Sequence, residues 1–125
     1  MQTFLAANII GVTDVELASK WYTDIFNMEL IELKLPYFCE MKLGDAHFLI
    51  EKHSPERPPG FQDIPTWVRV SAIIGVDDIV WFIDEVTQKG VKVIHTPIQQ
   101  SWGWWNAVIQ DLDGNKFIID QDEWE

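Results

Sequence analysis

The stretch Ile9-Ile10-Gly11-Val12-Thr13-Asp14-Val15 returns, nearly letter for letter, as Ile73-Ile74-Gly75-Val76-Asp77-Asp78-Ile79. A repeat of this kind limits the fold sharply, because each copy has to be one supersecondary unit completed by the sequence that follows it. In both copies an apolar, β-branched run meets a Gly and then an acidic helix-start signal, so the repeated object is a strand turning into a helix. Leu17, Trp21 and Ile25 follow the first copy at four-residue steps. Ile79, Phe82, Ile83 and Val86 follow the second, also at helical steps.

The remaining elements fall into the same order twice. Phe4 to Val12 reads as a strand, and Thr13 with Glu16 three residues later forms a capping box that satisfies the first free N–H groups of the helix. That helix ends near Phe26-Asn27, where Asn tolerates a left-handed cap. Met28 to Lys34 is the second strand, broken by Pro36. Tyr37 to Leu43 alternates, with Tyr37, Cys39, Met41 and Leu43 on one face and Phe38, Glu40 and Lys42 on the other. After a Gly44-Asp45 turn, Ala46 to Lys52 shows Phe48 and Ile50 to one side and His47, Leu49 and Glu51 to the other.

His53 to Thr66 carries Pro55, Pro58, Pro59, Pro65 and Gly60, which suits neither ladder nor helix and predicts a stiff linker. Beyond it come a strand Trp67 to Val76, a helix Asp78 to Lys89 closed by Gly90, and strands Val91 to His95, Trp104 to Gln110 and Lys116 to Gln121. The last two are joined by Asp111-Leu112-Asp113-Gly114-Asn115, whose Gly and Asn are expected to supply positive φ and whose carboxylates can accept backbone N–H bonds. A calcium loop is excluded there, since the later acidic ligand is missing. The expectation is one α+β domain over residues 1–125: a βαβββ module at 1–52, a linker at 53–66 and a second βαβββ module at 67–125.

Composition narrows the function. With 20 acidic against 9 basic residues the net charge is −11, which repels phosphate backbones and argues against nucleic-acid binding. No apolar run approaches the roughly 20 residues of a membrane span, and the Met-Gln-Thr-Phe start has no basic region of an export signal. The lone Cys39 cannot form an internal disulfide and fits a reducing, cytoplasmic setting. It falls on the apolar face of its strand, with no paired base, so it reads as a small buried hydrophobe.

The doubled βαβββ order, the Val-x-Asp helix start in each half, Gly90-Val91 after the second helix, Trp102-Gly103, and the Asp111 to Asn115 turn together resemble the vicinal oxygen chelate superfamily. That superfamily includes glyoxalases, extradiol dioxygenases, fosfomycin-resistance enzymes and bleomycin-resistance proteins. The resemblance covers nearly the whole chain. It implies two sheets forming a cup-shaped, half-open barrel around a ligand, and a homodimer of such chains. Fold membership alone does not give function.

In metal-dependent members of that superfamily, the first and last strands of each module supply four ligands. Counted from the helix starts, the first-strand positions here are Ala7 and Ser71, where the family places His or Gln. On the fourth strand the matching carboxylate is Glu51, and in the closing strand the family's Glu falls at Ile118. One donor of four would hold a divalent ion weakly, so no metal and no other cofactor is expected. His47 and Glu51 share a strand face but stand about 13 Å apart along it. His53, in the linker, and His95, at a strand end, read as solvated or singly hydrogen-bonded residues.

Aromatic surface and a few charges remain. By alternation, Phe38, Glu40, His47, Leu49 and Glu51 line the implied cup with Trp67, Arg69, Ser71 and Ile73, while Trp102, Trp104 and Trp105 stand near its rim. Seven tryptophans in 125 residues is heavy usage, concentrated in Ser101-Trp102-Gly103-Trp104-Trp105-Asn106, though adjacent strand residues cannot all face one way. Aromatic walls bind planar or cationic ligands at about 0.5 to 2 kcal/mol per contact. The favoured expectation is a metal-independent protein that sequesters a small aromatic or cationic molecule, similar to bleomycin-resistance proteins. The alternative is a glyoxalase- or dioxygenase-type enzyme with a displaced metal site, or with acid-base chemistry by Glu40, Glu51 or His47.

Overall fold

A computed structural model describes residues 1–2, 5–52 and 72–121. The contacts between Cα atoms divide the chain into two compact units, Met1–Val70 and Ser71–Glu125. The expected linker at 53–66, together with Trp67, Arg69, Ser71 and His53, lies outside the described residues.

Unit one runs β1 (Asn8–Val12), α1 (Val15–Phe26), β2 (Glu29–Lys34), β3 (Phe38–Leu43) and β4 (Ala46–Lys52). Its strands lie in the order β1-β4-β3-β2, with β1 parallel to β4 and the other neighbours antiparallel. Unit two runs β5 (Ala72–Gly75), α2 (Ile79–Gln88), β6 (Lys92–Gln99), β7 (Trp105–Gln110) and β8 (Lys116–Gln121), in the order β5-β8-β7-β6 with β5 parallel to β8. Both units are therefore βαβββ, and the α+β expectation holds.

Each helix covers one face of its own sheet. In α1 the buried stripe is Val15, Ala18, Tyr22, Ile25 and Phe26, resting on β3 and β4, where Cys39, Met41, Phe48 and Ile50 are buried. Leu17, expected on this stripe, is 53% exposed, because Val15 rather than Leu17 sets the inward register. Trp21 instead stacks edgewise on Tyr22 and Phe26, with centroids 4.9 and 5.7 Å away. In α2, Ile79, Ile83 and Val86 are buried over Ala107, Ile109, Phe117 and Ile119. Each such fully buried aliphatic or aromatic side chain stabilises its unit by about 1.5 to 3 kcal/mol.

Local details correct three expectations. The cap of α1 is Asp14, whose Oδ1 accepts the Leu17 N–H at 3.0 Å, and Asp78 repeats the contact with the Trp81 N–H at 3.0 Å. Thr13 is thus one position too early for the predicted capping box, and a carboxylate at the helix start gains from the macrodipole as well. In the β7–β8 turn Gly114 has φ +83°, but Asn115 does not take positive φ and contributes its side chain instead. Asp111 Oδ1 accepts the N–H groups of Asp113 (2.9 Å) and Asn115 (2.8 Å), and its Oδ2 accepts Asn115 Nδ2–H at 2.8 Å. The third difference is the length of β6, which continues past His95 to Gln99. Pro97 falls where the pairing with β7 shifts register between His95 and Ile98, on the edge strand of its sheet, and both settings tolerate a missing N–H. Asn27, at φ 56°, caps α1 in the expected left-handed conformation.

Candidate functional site

Residues paired across a sheet share a face, so the strand register fixes what each unit presents on the side away from its helix. In unit one the central cross-strand row on this open face is Ile9 (β1), Leu49 (β4), Glu40 (β3) and Glu32 (β2). The next row is Gly11, Glu51, Phe38 and Lys34, and on the other side His47 stands opposite Lys42. Phe38, Glu40, His47, Leu49 and Glu51 thus occupy one face of one sheet, all part-buried, around the exposed Ile9.

The polar centre of this face is a histidine–carboxylate pair. His47 Nδ1 lies 2.7 Å from Glu40 Oε2, with the two side chains 35% and 32% exposed. Their backbones are diagonal neighbours on β4 and β3, a spacing that long side chains bridge without leaving the face. Cys39, between Phe38 and Glu40, points the other way into the core. Burial pushes its thiol up to about 11, so it stays protonated and unreactive at neutral pH.

In unit two the corresponding rows are Ile73, Ile118, Val108 and His95, then Gly75, Asp120, Asn106 and Ile98. This face is more aliphatic, with Ile73 63% exposed and Ile118 40%. Trp105 pairs with Gln121 on the helix side and borders a hollow of about 360 Å³ with Val80, Ile83 and Pro97. Trp104 precedes it and is at the margin of exposure, while Trp102, in the β6–β7 turn, is 66% exposed and therefore not core. Sequence alternation could say only that Trp104 and Trp105 must diverge. The sheet register assigns Trp105 to the helix.

The internal repeat also identifies equivalent positions in the two units. Ile9 pairs with Leu49 as Ile73 pairs with Ile118, so the counterpart of Ile118 in unit one is Leu49. Glu51 was expected at that position. It lies one row further on, opposite Gly11, where its counterpart is Asp120 opposite Gly75. Ala7, just before β1, and the aliphatic side chains at both closing-strand positions offer no electron pair, so the residues present do not fit a four-donor metal centre. Among the described residues, no group of three or more His, Cys, Asp or Glu side chains is placed to hold an ion.

The family model for the glyoxalase/bleomycin resistance protein/dioxygenase superfamily matches residues 4–119. The chain belongs to this superfamily. No curated protein is close enough in sequence to match. Solved structures of the superfamily's fold also match, three of them at low identity as follows. A glyoxalase/bleomycin resistance protein/dioxygenase family enzyme from Burkholderia phytofirmans PsJN is 18% identical with a TM-score of 0.78, covering 95% of this chain and 98% of that one. Lactoylglutathione lyase from Agrobacterium tumefaciens is 19% identical with a TM-score of 0.76, over 98% and 96% of the two chains. TioX from Micromonospora sp. ML1 is 16% identical with a TM-score of 0.73, over 94% and 98%. At these identities the superfamily's scaffold is common to all three, and no activity transfers with it. No helix among the described residues is long and apolar enough to cross a membrane.

Proposed function

We propose that this superfamily member binds a small, partly aromatic or cationic molecule without a metal ion, and that the open face of unit one is where the ligand rests. The observation that carries this reading is the pair of equivalent positions Leu49 and Ile118, both aliphatic where a metal-dependent relative needs donors. Ile9, Leu49 and Phe38 offer apolar area, and Glu40 and Glu51 offer charge beside it. Concave sites commonly combine those two elements, an apolar lining and a few polar groups that fix orientation. The exposed Trp102 and Trp104 of unit two are proposed as ligand-binding residues in their own right, and the sequence reading adds Trp67, Arg69 and Ser71. Sequestration of a toxic compound in the cytoplasm, by a homodimer, would suit such a site.

Native mass spectrometry and metal analysis of protein purified without added metal test this reading, with sedimentation to give the assembly state. A metal-free, stably folded dimer carrying or accepting an aromatic ligand is the expected result. Stoichiometric Zn, Ni, Fe or Mn, removed by chelator with loss of stability, would sink it. One observation favours a second reading, an enzyme using acid-base chemistry. Glu40 and His47 form a ready proton-handling pair at 2.7 Å.

A further inference from the structure

The Glu40–His47 contact does more than place two polar groups on an apolar face. An ionised carboxylate can only accept hydrogen bonds, so beside a neutral imidazole the 2.7 Å contact requires the proton on Nδ1. Nε2 then carries a lone pair. The tautomer is fixed by Glu40 and the ring plane is held with it, as when a carboxylate orients a catalytic imidazole. Lys42 stands opposite His47 and Glu32 opposite Glu40, with Glu29 beyond Lys42 in the same row and Glu51 diagonal to Glu40 on the same face. Glu32 in turn has Lys34 at 3.8 Å. Leu49, opposite Glu40, and Phe38 give the pair an apolar flank on the same face.

We propose that His47, set by Glu40, is a proton acceptor for the ligand, and that the site selects aromatic molecules carrying an acidic hydroxyl, phenols and their enol analogues. The proposal rests on the reading of this face as a small-molecule site. The ligand's ring lies on the apolar flank and its O–H donates to Nε2. If the proton transfers, the O–H bond breaks, the N–H bond forms, the electron pair stays on the ligand oxygen, and the resulting imidazolium faces the Glu40 carboxylate. Glu40 is a positioning residue in this scheme, and His47 is the group that touches the ligand.

The matched probes 4-cyanophenol and 4-cyanoanisole, which differ by one methyl group on the oxygen, separate hydroxyl recognition from ring burial when titrated at neutral pH. The expected result is at least tenfold tighter binding of the phenol to the wild-type protein. His47→Phe keeps a flat ring and should bind both probes equally, and Glu40→Gln, which no longer fixes the tautomer, should lose most of the preference. Nitrogen NMR of the neutral wild-type imidazole should find the proton on Nδ1, a measurement that needs no variant. Equal binding of both probes by the wild type, or a proton on Nε2, overturns the proposal and leaves the broader binding reading intact. Binding of neither probe overturns both.

Discussion

The two units use one scaffold and differ in what they lay on it. On the helix side the central rows are nearly interchangeable: Ile10, Ile50 and Cys39 in unit one, Ile74, Ile119 and Ala107 in unit two. On the open side the matching rows have diverged, Leu49 and Glu40 standing where unit two has Ile118 and Val108. Packing against a helix tolerates only small apolar exchanges, since a lost or added methylene there is felt directly. The open face carries no such demand, so a carboxylate could arise at Glu40 on one copy while the matching Val108 of the other stayed aliphatic. The candidate site is thus a difference between two copies of a common fold.

That comparison breaks most visibly if the cores are unequal. Tyr22→Ala in unit one and Phe117→Ala in unit two each remove a fully buried ring and should cost about 3 to 5 kcal/mol. Urea unfolding of both variants checks it, and a loss below 1 kcal/mol in either unit would end the claim that both helices cover comparable cores.

Cys39 has no thiol counterpart in unit two, where Ala107 takes its place, so it gives unit one its own pH response. Its folded-state pKa of about 11 lies above the usual thiol value, so the unfolded chain loses the proton first as pH rises. The stabilisation is fully present below about pH 9 and is lost as pH climbs toward 11, with a ceiling of roughly 3 kcal/mol. Chemical denaturation from pH 7 to 11 should show a steeper decline for the wild type than for Cys39→Ala. Parallel curves would refute the assignment.

The smallest contrast is in the turns. Asp111 is buried and accepts three hydrogen bonds in the β7–β8 turn, whereas Asp45 sits in the exposed β3–β4 turn beside Gly44 at φ +57°. Asp111→Ala should lower stability by about 2 to 3 kcal/mol and Asp45→Ala by less than about 0.5 kcal/mol. Thermal midpoints of the two variants sharpen the comparison, and equal shifts would contradict it.

The doubled βαβββ order was legible because its signals are local. Gly11-Val12 and Gly75-Val76 end strands, Asn27 and Gly90 end helices, and strict alternation in β3 and β4 separates Phe38, Glu40, His47, Leu49 and Glu51 from Met41 and Phe48. Misreadings arose where tertiary context decides. Leu17 and Val15 fit a helical stripe equally well until a sheet lies beneath them. Pro97 ends a strand only if the strand is internal, and nothing local says that β6 is an edge. The Glu51 assignment failed for a related reason: strand alternation gives the face of a residue, but its row depends on pairing with β1, a partner far away in the chain. The Glu40–His47 contact was within reach, since a two-residue turn at Gly44-Asp45 fixes the β3–β4 register and makes the pair diagonal neighbours.

The parallel pairing of first and last strands bears on how the protein comes to be folded at all. Ile10 cannot find Ile50, nor Ile74 find Ile119, until the intervening helix and two strands exist, so in both halves the slowest event is the last to become possible. The hairpins β3–β4 and β7–β8 can zip early, at microsecond speeds, and wait. Because β4 ends at Lys52, every strand of the first sheet exists before β5 has been synthesised. The near-identical Ile-Ile-Gly-Val segment of the second copy thus leaves a translating ribosome after every strand of the first sheet, an order that gives the first sheet time to close before a competitor for its partner strand appears.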